Sequence, residues 1–321
     1  MLIEEISRRK MHHTQNGRFF NPWHPNSRRN FFDLLKWKLF SSNIYRDQKK
    51  RQIPFNVITP DISKLDQTSS DYMIWLGQST ILMKINAKVI LTDPVFWNIN
   101  FFLKRTIRLP IDPEKLPAID YVLVSHGHYD HLDTRSIRFL RERSDPYFVS
   151  GPGYENYFRS IGTSKHIVLD WWDTYAKDDI ILTALPVQHW SKRGLFDTDQ
   201  MLWCSFLIEH GMKKYYWVGD SGYFEGYKEI GEKFGPIDVL LIPIGSYEPR
   251  WFMKTFHVTP EEAMLVAKEV RARYFVPIHW GTFDLTDEPL WLPILHLKEI
   301  YQGHTNPALK ILEHGGHLIP D

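Results

Sequence analysis

Three histidines and an aspartate fall within six positions of this chain, in the run Ser125-His-Gly-His-Tyr-Asp-His-Leu-Asp133 directly after the apolar stretch Tyr121-Val-Leu-Val124. A buried strand ending in a loop is where side chains can converge on an ion. The run therefore reads as a metal site and requires a fold that delivers strand ends to a common edge. Side-chain alternation sends His126 and His128 one way. Asp130 and His131, just past the strand end, can turn toward a second ion, so the H-x-H-x-D-H spacing points to two metals. A polar loop with accidental histidines is the alternative, and the clustering of four ligand residues disfavours it.

Each zinc-like ion takes about four ligands, and a catalytic one keeps a position open for water, so the rest of the chain has to complete the coordination. His189 follows the apolar run 180–188, Asp220 follows 215–219 and His279 follows 274–278. Each stands one step beyond a strand-like segment, as His126 does. Singly, such a residue is more often a cap or loop residue than a ligand; beside the first motif the three make a set. The single cysteine, Cys204, excludes an intrachain disulfide and a thiolate cluster. The ligands must then be nitrogen and oxygen, and a reducing compartment is expected.

The chain of 321 residues is 43% hydrophobic and 15% aromatic, enough to fill the core of one large α/β sandwich. Strand-like runs at 72–76, 80–85 and 88–92 predict a meander with a tight turn at 86–88. A helix is expected over 133–143, strands over 167–169, 180–187, 202–209 and 214–218, a helix over 224–234 and a strand over 239–244. Thr259-Pro-Glu-Glu262 is a capping box with proline at the first helical position, leading into 263–270. No internal repeat or low-complexity linker is visible.

The net charge of +1 hides an asymmetry: residues 1–53 carry +8 and the remainder −7. This divides the chain into a basic, aromatic extension over 1–65 and a larger, acidic body over 66–321. The segment Arg28-Arg-Asn-Phe-Phe-Asp-Leu-Leu-Lys-Trp-Lys-Leu-Phe40 has two readings, an anionic membrane surface with Trp37 dipping into the interface, or a helix docked on the body. The acidic body argues against nucleic acid as a partner. No run of about 18 apolar residues and no signal-peptide pattern is present, so a cytoplasmic protein, peripheral at the membrane if the first reading holds, is expected.

The sequence resembles the metallo-β-lactamase superfamily. Within it, the chain is similar to the phospholipase D family that hydrolyses N-acylphosphatidylethanolamine. The segments carrying the resemblance are Trp75-Leu-Gly-Gln-Ser-Thr80, Leu91-Thr-Asp-Pro-Val95, the histidine motif, Leu169-Asp-Trp-Trp172, Gln188-His-Trp190, Gly219-Asp-Ser-Gly-Tyr223, Ile242-Pro-Ile-Gly-Ser-Tyr-Glu-Pro-Arg-Trp-Phe-Met253 and Ile278-His-Trp-Gly-Thr-Phe283. It implies an αβ/βα four-layer sandwich holding two zinc ions, with iron or manganese as alternatives. His126, His128 and His189 would hold one ion, Asp130, His131 and His279 the other, and Asp220 would bridge them. Asp93 would orient a ligand imidazole from behind. Where this family usually has Trp-Leu-Gly-His, the chain has Gln78.

The loop from Ser246 to His257 mixes polar and aromatic residues. As a substrate wall it would use Tyr247, Trp251, Phe252 and Met253 for acyl chains and Arg250 for a phosphate. The other reading packs the aromatics in the core and pairs Arg250 with an acid such as Glu248. The implied activity is hydrolysis of a phospholipid to phosphatidic acid and N-acylethanolamine, with Asp130, Asp220 and His257 at the reacting centre. Cleavage of a soluble phosphodiester or lactone, or a sensor without turnover, are the alternatives.

Overall fold

A computed structural model describes residues 5, 11–14, 16–24, 31–51 and 53–321; the basic pairs Arg8-Arg9 and Arg28-Arg29 lie outside the described residues. Among the described residues, fourteen strands make two seven-stranded sheets. The first contains β1 (Tyr72–Gly77), β2 (Thr80–Ile85), β3 (Lys88–Thr92), β4 (Tyr121–Leu123), β5 (Tyr147–Ser150) and β6 (His166–Val168). The second contains β7 (Thr174–Lys177), β8 (Ile180–Leu185), β9 (Ser205–His210), β10 (Lys213–Trp217), β11 (Ile237–Pro243), β12 (Ala272–Ile278) and β13 (Ala308–Leu309). The final strand, β14 (His317–Leu318), returns to the first sheet beside β1.

Apolar residues on both faces of the strands dictate the layering. Along β1, Met73 and Trp75 enter the core between the sheets, while Tyr72, Ile74 and Leu76 enter an outer core, as alternation requires. Ile137 and Leu140 of α1 (Thr134–Arg143) close that outer core. The second sheet is covered by Ile230 of α2 (Gly226–Phe234), Ala263 and Ala267 of α3 (Pro260–Glu269) and Leu297 of α4 (Leu292–Ile300). Helix, sheet, sheet, helix is the expected αβ/βα sandwich.

From β14 to β6 and from β7 to β13, each sheet makes three antiparallel pairings followed by three parallel ones. The duplication is topological, and the sequence carries no trace of it. The expected meander is observed, with Asn86 and Ala87 at positive φ in the turn. The capping box at Thr259 is formed on both sides, and the Asp133 side chain caps α1. The expected strand over 202–209 begins only at Ser205, because Leu202 to Cys204 bond instead to Pro152 and Ser125 in the first sheet's loops.

The described parts of the N-terminal extension pack on the body. His12 and His13 bond to Asp170, and Trp23 stacks on Trp171 and Phe224. The segment Phe31–Leu35 is helical and widens into a π turn over Lys36–Phe40, which breaks the 3.6-residue spacing assumed for it. Trp37 is buried against Phe252 and Met253 and donates to Asp287 at 3.0 Å, as the docked reading expects of that residue. Leu39, Phe40 and Ile44 remain exposed.

Candidate metal centre

Loops leaving β4, β8, β10 and β12 carry the seven expected ligands to one place, where they form two adjacent clusters. In the first, His126 Nε2 is 2.8 Å from His128 Nδ1, which is 3.3 Å from His189 Nε2. In the second, His131 Nε2 lies 3.2 Å from His279 Nε2, 3.1 Å from Asp220 Oδ2 and 3.4 Å from Asp130 Oδ2; His279 Nε2 lies 3.2 Å from Asp220 Oδ1. The rings of His126 and His131, one from each cluster, are 4.1 Å apart. Asp220 also groups with His189 and His257, which places it against both clusters.

The donor geometry fits metal ions. Atoms held about 2.0–2.2 Å from a zinc-sized ion stand roughly 2.8–3.6 Å apart at right-angled to tetrahedral openings, and these separations fall in that range. The outward nitrogens agree. His126 Nδ1 donates to Ser125 Oγ at 2.9 Å, His131 Nδ1 to Asp93 Oδ2 at 2.6 Å, and His189 Nδ1 to the Phe256 carbonyl at 3.0 Å. Each of these bonds leaves Nε2 as the ring nitrogen that faces inward and could ligate an ion. His128 presents Nδ1 instead, and its Nε2 is buried with no hydrogen-bond partner among the described residues.

The two clusters differ in charge. Burial holds His126 and His189 well below the ordinary histidine range and His128 down to about 4, so the first cluster is three neutral imidazoles. In the second, burial pushes the Asp220 and Asp130 carboxyls up, but the neighbouring His131 and His279 charges win and hold both well below the carboxylate range. Burial would likewise lower His131 and His279, yet Asp220 and Asp130 raise them, His279 to about 9. Without an ion, this cluster keeps its carboxylates paired with protonated rings.

Asp93, at positive φ, accepts from Ser125 Oγ at 2.5 Å and from His131, so one carboxylate steadies a ring in each cluster. Ser125 was not singled out from the sequence, although it begins the motif. Asn21 was also missed: its side chain donates to the His189 carbonyl at 2.8 Å and accepts from Trp203 Nε1 at 3.0 Å. No local spacing connects positions 168 residues apart.

His257 is brought to the centre, with Nδ1 3.8 Å from Asp220 Oδ2, and burial lowers it to about 4, leaving a neutral ring. The remaining loop residues are placed differently. Phe252 and Met253 are buried against Trp37, while Tyr247 and Arg250 line a surface groove with Tyr45, Thr259 and Trp291. The Arg250 fork is bound to Glu262 at 3.1 Å and to the His257 carbonyl at 2.9 Å, while Glu248 accepts from the Arg250 backbone N–H at 2.8 Å and from the Tyr45 hydroxyl at 3.4 Å. Trp251 is partly exposed.

Residues 88–280 match the Beta-lactamase superfamily domain. An N-acyl-phosphatidylethanolamine-hydrolyzing phospholipase D of Caenorhabditis elegans is 34% identical over 290 residues, 84% of this chain and 81% of that protein. A mitochondrial protein of the same name from Saccharomyces cerevisiae is 36% identical over 68% of this chain, which spans about half of it (49%). Among solved structures, the metallo hydrolase Igni18 of Ignicoccus hospitalis covers 78% of this chain with TM-score 0.61 at 21% identity, 98% of its own length being matched. An isothiocyanate hydrolase from Delia radicum gut bacteria covers 77%, with 98% of its own length, TM-score 0.63 and 18% identity. With its paired sheets, its convergent histidine and aspartate loops and these relatives, the chain belongs to the metallo-β-lactamase superfamily and resembles, within it, the phospholipases D that hydrolyse N-acylphosphatidylethanolamine.

Proposed function

We propose that this chain is a binuclear phosphodiesterase of phospholipase D type, hydrolysing N-acylphosphatidylethanolamine to phosphatidic acid and N-acylethanolamine. The observation that carries the reading is the junction of two ligand clusters at Asp220, in a chain that matches 81% of the length of a relative named for that reaction. A pair of divalent ions, with zinc, manganese or iron fitting the donors, would supply an acidified water and offset charge growing on a phosphoryl group. His126, His128 and His189 would hold one ion and Asp130, His131 and His279 the other. Asp220 would keep the two in register, and Asp93 fixes the rings. His257, neutral and beside Asp220, takes a proton from the incoming water and returns it to the departing ethanolamine oxygen.

With Arg250 engaged by Glu262, phosphate recognition falls to the centre itself. Support for a lipid comes from apolar side chains on the surrounding loops. Phe101 and Phe102, on the loop after β3, and Leu195 and Phe196, on the loop after His189, are each at least 78% exposed. Leu39, Phe40 and Ile44, with Lys36 and Lys38 beside them, add a basic apolar patch suited to an anionic lipid surface. No described helix is long and apolar enough to cross a membrane, so this contact would be peripheral.

Reaction in heavy-oxygen water tests the reading. Attack at phosphorus puts the label in phosphatidic acid and leaves the N-acylethanolamine unlabelled. Label in a released fatty acid, or brisk cleavage of lactones or small diesters with none of lipid, would assign the chain to a different hydrolytic reaction.

A further inference from the structure

Gln78 is not among the seven expected ligands, yet it reaches into the second cluster. It is buried at the turn after β1, with φ +50°, a left-handed backbone that a non-glycine residue holds at a cost. Its N–H donates to Thr282 Oγ1 at 2.8 Å, and its carbonyl accepts from Trp75 Nε1 at 2.9 Å and from the His279 N–H at 3.0 Å. The last bond ties it to a residue that is itself left-handed, at φ +61°. The amide end of the side chain lies 2.7 Å from Asp130 Oδ2 and 2.8 Å from His279 Nε2, two atoms already 3.5 Å apart. Those three atoms form a triangle like one face of a coordination shell.

The nitrogen and oxygen ends of an amide exchange by a half-turn about its last torsion. Without an ion, the amide end sits between the Asp130 carboxylate and the His279 ring. Once His279 Nε2 gives its lone pair to a cation, it can neither donate to the amide nor accept from it. The half-turn then presents Oε1 at the same position.

We propose that Gln78 is a further ligand of the second ion through Oε1, joining Asp130, His131, Asp220 and His279. The inference rests on the two-ion reading above. It gives that site three oxygens and two nitrogens, against three nitrogens and the shared Asp220 oxygen in the first cluster. A larger, oxygen-rich set suits manganese or ferrous iron, and a set of mostly imidazoles suits zinc, so the centre is built for two different metals.

The test is metal binding rather than turnover. The chain is stripped and titrated with zinc and with manganese against a competing chelator, then loaded with cobalt(II) for visible spectroscopy, alongside Gln78→Leu and Gln78→Glu. The leucine variant should bind the second ion roughly 10–100-fold more weakly and lose preference for manganese there, with the first ion unaffected. Its cobalt absorption should intensify as five donors fall to four. Glu, which keeps an oxygen at the same reach, should restore affinity. If the leucine variant does not fold, Gln78→Asn, which tolerates the left-handed backbone but falls short of the ion, should show the same loss. Native affinity and an unchanged cobalt spectrum in Gln78→Leu would overturn the assignment, as would failure of a folded Gln78→Glu to restore binding. Fewer than two ions bound by the unaltered chain would instead overturn the two-ion reading.

Discussion

The first cluster is built from neutral imidazoles and held in part from outside the sandwich, whereas the second mixes imidazoles with carboxylates and is held from within it. A cation among His126, His128 and His189 would meet no charge from those three rings and only the shared Asp220, while one between Asp130 and Asp220 would face two carboxylates and be largely neutralised. Support divides in the same way. His131 leans on Asp93 and His279 on the Gln78 carbonyl, both in loops of the first sheet. His189 leans on the Phe256 carbonyl through its ring and on Asn21, from the N-terminal segment, through its backbone. One cluster suits activation and the other suits retention of the pair.

Asp220 should erase the distinction. Asp220→Asn removes a charge that faces His131, His279 and His189 together, so both ions should weaken and turnover should fall on the order of 10³-fold, about 4 kcal/mol of transition-state stabilisation. His189→Ala, by contrast, should lose about one ion per chain and keep the other. Metal analysis of the two proteins reads the difference. A full pair of ions in Asp220→Asn would remove the bridge from the scheme.

Asn21 gives a smaller and one-sided effect. Asn21→Leu leaves Trp203 Nε1 without its acceptor and the His189 carbonyl without its donor, both in a buried site, which should cost about 1–3 kcal/mol of stability. The first ion should weaken by about tenfold or less and the second should not change. Competition titrations at each site check this. Equal weakening of both ions would show that the N-terminal segment supports the whole sandwich rather than one cluster.

The contrast in support also explains what was legible in the sequence. The ligands of both clusters follow local rules: the histidine motif follows β4, and His279 stands one position and Asp220 three positions beyond a buried strand, so apolar runs with a polar residue at the end revealed them. The capped helix from Pro260 was equally legible because a capping box is a pattern of four neighbours. Asn21, and the His12 and His13 contacts to Asp170, join residues more than 150 positions apart, and no periodicity encodes such a pairing. Trp37 was ambiguous for another reason. A tryptophan in a basic segment fits a membrane or a docking site equally, and its contacts with Phe252 and Asp287 decide its place only in three dimensions. Arg250 had the fork that a phosphate needs, but its partner, Glu262, is the residue already recruited for the cap of the next helix.

The smallest effect is expected where the N-terminal segment is fastened furthest from the metal centre. His12 Nε2 and His13 Nε2 bond to the two oxygens of Asp170 at 2.7 and 2.8 Å, and His12 lies buried on the Trp171 ring. Burial pushes the Asp170 carboxyl up, but the hydrogen bond and charge of His12, with that of His13, hold it below the ordinary carboxylate value. A carboxyl lowered in the folded state contributes stability above its unfolded value of about 3.9, and that contribution is lost as pH falls through the lower folded value. Asp170→Asn should therefore cost about 1–2 kcal/mol at pH 7 in the metal-free protein, and the gap to the unaltered chain should shrink below about pH 4. Urea midpoints at pH 7, 5 and 3.5 measure the gap. If it stays constant across that range, the carboxylate charge does not fasten the segment; if it closes on acidification while the first ion's affinity at pH 7 moves less than in Asn21→Leu, the support of the first cluster runs through Asn21, with Asp170 as its outer anchor.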